Sequence, residues 1–148
     1  MGFLDSLENN LKALEHYTCV FPNSKVISRG RSSPDGPLLT ATFELEGQQF
    51  MALNGGPMFQ FSEAISLFVS CETQDEVDEL WAKLSDGGAP GRCGWLKDRF
   101  GISWQIIPNA LGELMSDPDP EKSKRVMMAM FQMNKIDIEG LKRAHAGE

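Results

Sequence analysis

"CGWLKDRFGISWQIIP", residues 93–108, decides the fold. Trp95 and Trp104 flank a turn signal, and Pro108 closes the run. The stretch reads as a hairpin with strands over about 92–97 and 102–107, the second heavily aromatic. Strand alternation puts Ser103, Gln105 and Ile107 on one face, opposite Trp104 and Ile106. The two large apolar residues mark the core side, so Gln105 faces the other way, as a polar group on a cavity wall. An uncharged amide is a poor general acid or base. Gln105 is therefore read as a ligand contact or a structural hydrogen-bonder rather than a catalyst. Asp98 sits in the turn, where a carboxylate satisfies backbone N–H groups. Cys93, two residues before Trp95, is expected on the same strand face as that tryptophan and as an inert thiol.

A second hairpin is legible upstream. In "LLTATFEL", residues 38–45, Leu39, Ala41, Phe43 and Leu45 alternate with Thr40, Thr42 and Glu44. Glu46-Gly47 suits a two-residue turn. That turn pairs Leu45 with Gln48, Phe43 with Phe50, Thr42 with Met51 and Glu44 with Gln49. One face then collects apolar residues that suit packing under a helix. The other collects Thr40, Thr42, Glu44, Gln49, Met51 and Leu53, a mixture that reads as the wall of a cup. A solvated sheet face is the plain alternative.

The remaining elements follow from periodicity and punctuation. A helix is predicted over about 6–20, with Asp5 and Glu8 as a capping box, and "FPNS" ends it. "KVISRG" is a short strand and "RSSPDGP" a loop. "EAISLFVSC", residues 63–71, reads as a strand apolar enough for burial on both faces. Thr73 and Glu76 form a second capping box, followed by Val77, Leu80, Trp81 and Leu84 at helical spacing. In the tail, Asp119 as N-cap and Pro120 at the first helical position open a helix, and a shorter one covers "IEGLKRA". Gly47 and Gly101 each follow a polar turn and open a strand, so the chain reads as two similar halves.

Composition narrows the function classes. The 148 residues suit one compact domain. The formal net charge of −7 argues against nucleic acid and anionic membranes as partners. Cys19, Cys71 and Cys93 are widely spaced, without the pairing of a structural zinc site, and fit reduced thiols in the cytoplasm. The opening "MGFLDSLENN" lacks the pattern of a signal peptide, and no apolar run is long enough to span a bilayer.

"FPNSKV", "FELEGQQFMALNGGP", "EAISLFVSC", "DEVDELWAKLSDGG" and the run from "CGWLKDRFGISWQIIP" to "LKRA" resemble the PhnB-like family, often labelled 3-demethylubiquinone-9 3-methyltransferase. The resemblance runs from about residue 17 to 144. It places the chain in the vicinal-oxygen-chelate superfamily, with glyoxalase I, bleomycin-resistance proteins and extradiol dioxygenases. The implied fold is α+β: two βαβββ modules forming cupped mixed sheets, followed by C-terminal helices. The implied organisation within a single domain, 1–148, is a first module over 1–58, a second over 59–108 and a helical extension over 109–148. Relatives open with a full strand, whereas only Phe3 and Leu4 are available here, so the first strand is short or missing. The resemblance also implies a homodimer. An open sheet edge would then be covered by the C-terminal helices or a partner subunit.

The superfamily's metal ligands, carried over position by position, fall on the missing first strand, on Met51, near Ile65 and on Gln105. Only Gln105 offers a donor that a hard cation accepts. No metal and no cofactor are therefore expected, and His16 and His145 lie on helices outside this set. The methyltransferase label would call for a glycine-rich turn between strand and helix, and neither "SDGGAPG" nor "NGGP" is so placed.

Three functions compete. The first is metal-independent small-molecule binding, with Thr42, Glu44, Gln49, Met51, Glu63, Trp95, Ser103 and Gln105 as ligand contacts. The second is an enzyme of the same superfamily that uses Glu44, Glu63 or Asp98 as acid or base, which requires burial to raise a carboxyl pKa. The third is an interaction protein working through Met127, Met128, Met130 and Met133, residues that serve equally as core filler.

Overall fold

The structure is a computed structural model describing residues 8–56 and 58–148. The expected capping box at Asp5 and the expected strand at Phe3 and Leu4 lie outside those residues. The fold is α+β, with two sheets and C-terminal helices, and the chain divides into two compact units between Gln60 and Phe61.

The first unit packs one helix on a three-stranded antiparallel sheet. Helix α1 spans Glu8–Val20, and strands β1 (Ser24–Arg31), β2 (Leu38–Leu45) and β3 (Gln48–Leu53) lie in the order β1-β2-β3. Leu14, Tyr17, Val20 and Phe21 are buried, as are Ala41, Phe43 and Leu45 on β2. The Tyr17 ring stacks on Phe43 at 6.5 Å between centroids, and Phe43 stacks on Phe50 at 5.5 Å. The β2–β3 register is Leu45–Gln48, Glu44–Gln49, Phe43–Phe50 and Thr42–Met51. Glu46 and Gly47 take φ of 48° and 82°. Positive φ at both central residues makes a type I′ turn, whose twist matches that of the strands.

Simple alternation fails at one point in β2. Leu39 is 43% exposed and Leu38 is buried, the reverse of the expected faces. The register passes from Gly30–Thr40 directly to Arg31–Leu38, so Leu39 is an extra residue on its strand. Such a bulge shifts the alternation by one residue and turns Leu38 into the core. β1 is also longer than expected, with Ile27 unpaired between Val26–Phe43 and Ser28–Thr42.

The second unit has the order strand, helix, three strands, three helices. Strand β4 (Leu67–Cys71) leads to helix α2 (Gln74–Ser85). Strands β5 (Ala89–Pro90), β6 (Trp95–Lys97) and β7 (Ser103–Pro108) follow, then helices α3 (Asn109–Met115), α4 (Pro120–Met130) and α5 (Ile138–Ala146). The sheet order is β4-β7-β6-β5, with β4 parallel to β7 and the other pairs antiparallel. The Thr73–Glu76 capping box is present at the start of α2. Val77 and Leu84 of α2, Leu96 of β6 and Trp104 and Ile106 of β7 are buried together on the helix side of the sheet.

Two expectations are corrected here. The strand predicted over 63–71 begins only at Leu67, and it is not buried on both faces: Phe68 is 60% exposed. β4 is an edge strand with a helix on one side only, so its second face stays open. Cys93 does not share a strand face with Trp95. It precedes β6 with φ 57°, next to Gly94 at φ 82°, and both backbone amides donate to the α4–α5 connection, at Met133 O and Asn134 O. A Cβ on Gly94 would lie 2.9 Å from Ile106 O and 2.6 Å from Ile107 Cδ1, so only glycine allows this approach.

Helices α3–α5 share a small core of Leu111, Val126, Ile136 and Leu141, against which Ile107, Met130 and Met133 pack. Two of the four methionines of the tail motif therefore fill core, while Met128 is 52% exposed. Gln74, at the start of α2, ties these helices to the sheet. It donates to Ile136 O at 3.0 Å and accepts from Ile138 N at 2.9 Å. Asp119 and Asp137 cap α4 and α5, and Arg125 donates to Ala144 O and His145 O at the end of α5. No helix among the described residues is long and apolar enough to cross a membrane.

The β6–β7 hairpin is organised by one carboxylate. Asp98 is buried at 3% exposure. Its Oδ1 accepts from Phe100 N and Ile102 N, at 2.8 and 3.0 Å, and its Oδ2 accepts from Trp104 Nε1 at 2.8 Å. Hydrogen bonds to a charged group are worth about 1.5–3 kcal/mol each, and a buried donor left alone is costly. Asp98→Ala is therefore expected to lower the unfolding free energy by roughly 3 kcal/mol. Asp86→Ala, which breaks only the exposed pair with Arg99, should cost about 1 kcal/mol or less. Urea titrations followed by tryptophan fluorescence check both, and equal losses would overturn this assignment.

Candidate functional site

The second sheet has one face under α2 and one face without a helix over most of its width. Cross-strand pairing builds that open face row by row. Phe68 pairs with Gln105, and Gln105 pairs with Trp95, so these three side chains stand side by side across β4, β7 and β6. Neighbouring strands lie about 4.8 Å apart, which sets the two aromatic residues roughly 10 Å from each other with the amide between them. The adjacent row pairs Ser103 with Lys97. On the other side, Ser70 pairs with Ile107.

The segment before β4 lies along this face. Gln105 Nε2 donates to Ser66 Oγ at 2.8 Å, and Glu63 forms an ion pair with Lys97. Gln105 thus spends one donor on holding the segment, and its amide oxygen has no hydrogen bond among the described residues. Ser103 is 2% exposed, and its Oγ is buried without a protein partner among the described residues.

The charged groups are mostly committed. The ammonium of Lys97, through a hydrogen bond and its charge, holds the Glu63 carboxyl below its ordinary range. Glu44 lies 3.4 Å from Lys25. Asp98 is consumed by the hairpin. Asp117 lies below its ordinary range because Asp119 N donates to it and because His145 Nε2 lies 2.8 Å away. Burial pushes the Cys71 thiol up to about 11, with Glu76 adding to the effect, so it is no nucleophile at neutral pH. Of the three carboxylates considered as acid or base, Glu44 and Glu63 are held in ion pairs and Asp98 in the hairpin.

The predicted contacts fall into two groups, one in each unit. Thr42, Glu44, Gln49 and Met51 share the face of the first sheet that turns away from α1, with Met51 76% exposed. Trp95, Ser103 and Gln105 share the open face of the second, and Glu63 reaches it through Lys97 from a turn rather than from a strand start. Sequence reasoning missed Phe68, Ser66 and Lys97. Phe68 was hidden by a run of apolar residues that gave no sign of an edge strand. Lys97 was legible, since it alternates with Trp95.

The positions that the resemblance assigns to metal ligands carry few donors. Met51 carries a thioether and Ile65, 79% exposed, carries no donor, leaving Gln105 alone. Among the described residues no group of three His, Cys, Asp or Glu side chains is placed to hold an ion.

The family described as 3-demethylubiquinone-9 3-methyltransferase matches residues 3–107. A PhnB protein from Bacillus cereus superposes with a TM-score of 0.63 at 33% identity, over 68% of this chain and 91% of its own. The protein PA1353 from Pseudomonas aeruginosa shares the fold, with a TM-score of 0.55 at 17% identity, over 66% of this chain and 86% of its own. No curated protein matches.

The Glu63–Lys97 pair gives a pH-dependent contact at the site. Because the folded pKa is lowered, the pair contributes fully above the ordinary carboxyl range and is lost as pH falls below 4.5. A carbon-detected NMR titration should place the Glu63 midpoint below 4.5, and Lys97→Met should move it upward. An unchanged midpoint in Lys97→Met would remove Lys97 as the cause.

Proposed function

The chain belongs to the PhnB-like family described as 3-demethylubiquinone-9 3-methyltransferase, and on that premise we propose that it is a metal-independent small-molecule-binding protein. The observation that carries this reading is the row Phe68–Gln105–Trp95 on the open face of the second sheet. Two aromatic side chains about 10 Å apart leave room for a flat group between them. The free amide oxygen of Gln105 offers a hydrogen bond at the base of that space, and the buried Ser103 hydroxyl lies one row away. Concave or slotted apolar surface with a few polar groups is the usual makeup of a ligand site.

The enzymatic alternative, a cup carboxylate acting as acid or base, finds less support. Glu44 and Glu63 are held in ion pairs, and Asp98 is bound by three donors. The proposal includes a cytoplasmic protein with free thiols at Cys19, Cys71 and Cys93. It also includes a homodimer. Met51, Met58, Phe59, Phe61 and Ile65 are each more than 60% exposed, an amount of apolar surface that association would cover.

Two experiments test this reading. A fragment screen by protein-detected NMR should give hits whose shifts centre on the Trp95 indole and the Gln105 side-chain amide. Gln105→Ala should weaken such a hit by about 0.5–1.5 kcal/mol, the worth of a neutral hydrogen bond, with little change in stability. S-adenosylmethionine with a catechol acceptor belongs in the screen, and transfer of its methyl group to the catechol oxygen, with loss of that oxygen's proton and release of S-adenosylhomocysteine, would replace binding by catalysis. Light scattering should give twice the 16.4 kDa chain mass at micromolar concentration, and a monomer mass would refute the dimer.

A further inference from the structure

The second unit carries a groove that none of the residues predicted from sequence lines. Its volume is about 570 Å³, and it lies where β4 and β7 meet α3. Phe68 and Ile107 form its apolar wall, and Gly112 and Glu113 of α3 face them. Phe68 belongs both to this groove and to the Phe68–Gln105–Trp95 row, so the two are continuous.

Glu113 is the sole charged residue lining the groove. Its carboxylate has no cationic partner among the described residues. Most other well-placed carboxylates of this unit are paired: Glu63 with Lys97, Asp78 with Lys135, Asp86 with Arg99 and Asp117 with His145. An unpaired negative charge beside exposed apolar surface complements a cation with an apolar body.

Gly112 supplies a second, independent observation. It lies inside α3, where glycine costs about 1 kcal/mol relative to alanine. Its φ is not positive, and a Cβ built there would meet nothing within 4 Å. Neither backbone conformation nor packing therefore requires glycine. Gly112 itself lines the groove, so its lack of a side chain leaves that part of the wall uncovered.

We propose that this groove takes a protonated amine carried on a flat apolar group, with the ammonium on Glu113 and the apolar body against Phe68 and Ile107. The inference rests on the small-molecule reading and specifies the class of ligand. The Glu113 carboxylate supplies selectivity for positive charge, and the missing side chain of Gly112 supplies the space.

Three probes of one shape test it: 1-naphthylmethylamine, 1-naphthylmethanol and 1-naphthoate, the cation, the neutral and the anion at neutral pH. Binding is read from the amide shifts of Ser70 and Ser116 for the groove, and of Trp95 and Gln105 for the adjoining row. The cation is expected to bind about two- to fivefold more tightly than the alcohol, the worth of an exposed ion pair. The anion should bind least. Glu113→Gln should make cation and alcohol equal. Gly112→Phe should abolish the groove shifts while an unchanged unfolding midpoint reports an intact fold, and the same result in Gly112→Leu guards against a folding defect. Equal affinity of cation and alcohol, or a preference that survives Glu113→Gln, overturns the inference. If the alcohol still shifts Trp95 and Gln105 in that case, small-molecule binding stands without the charge selectivity. If no probe shifts either set of amides, both readings fail.

Discussion

The hairpin of the second unit depends on the Asp98 carboxylate. Three donors converge on it: two backbone amides from its own turn and the Trp104 indole from the following strand. The amides fix the turn, and the indole fixes which face of β7 is core. With Trp104 turned toward α2, alternation puts Ser103 and Gln105 on the opposite face of the sheet, and pairing brings Trp95 and Lys97 beside them. A one-residue slip would exchange these two sets. Burial of an ionised group is tolerable here because every donor is local and geometrically fixed. The same group is thereby committed to structure, since both of its oxygens are taken by the hairpin.

The two units differ in how their sheets end. In the second, β4 pairs with β7 in parallel and completes a four-stranded sheet. In the first, no described strand pairs with the free edge of β3. The parallel strand matters for the candidate site, because Phe68 stands next to Gln105 only through that pairing. The segment before it, tied by Ser66 to Gln105 and by Glu63 to Lys97, then follows the sheet rather than leaving it. The first sheet keeps Thr42, Glu44, Gln49 and Met51 on one face but shows no comparable pairing of aromatic and amide side chains.

Much of this was legible in the sequence because local chemistry and the final fold agree. The Glu46-Gly47 turn needs two positive φ angles, of which Gly47 supplies one freely while Glu46 is held in the other, and it sets the whole β2–β3 register. The Thr73–Glu76 box and the Asp119-Pro120 start are likewise local devices. The misreadings arise where a distant partner decides. Leu39 is displaced by a bulge against β1, which no property of "LLTATFEL" announces. Phe68 is exposed because its strand is an edge covered by one helix, and an apolar run carries no mark of that. Cys93 leaves the strand because its amide and that of Gly94 bond to a connection some forty residues on. The open face was read from parity alone. The groove beside it needs α3, and the helix starting at Asn109 has no side-chain cap to announce it.

Charge placement separates the structural from the available groups in this unit. The Glu63–Lys97 pair holds the approach to β4, Asp78–Lys135 and the Gln74 amide hold α2 to the helical extension, and Asp117–His145 joins the start of the α4 region to the end of α5. Each of these acids lies where two elements meet, and each is spent there. The Glu113 carboxylate has no ion-pair partner among the described residues; it stands on a short helix beside Gly112, and both line the groove. Stability alone would favour alanine at Gly112 and would be indifferent to the charge of residue 113. Both choices lie against the same groove, and both make physical sense once that groove has to hold something positively charged.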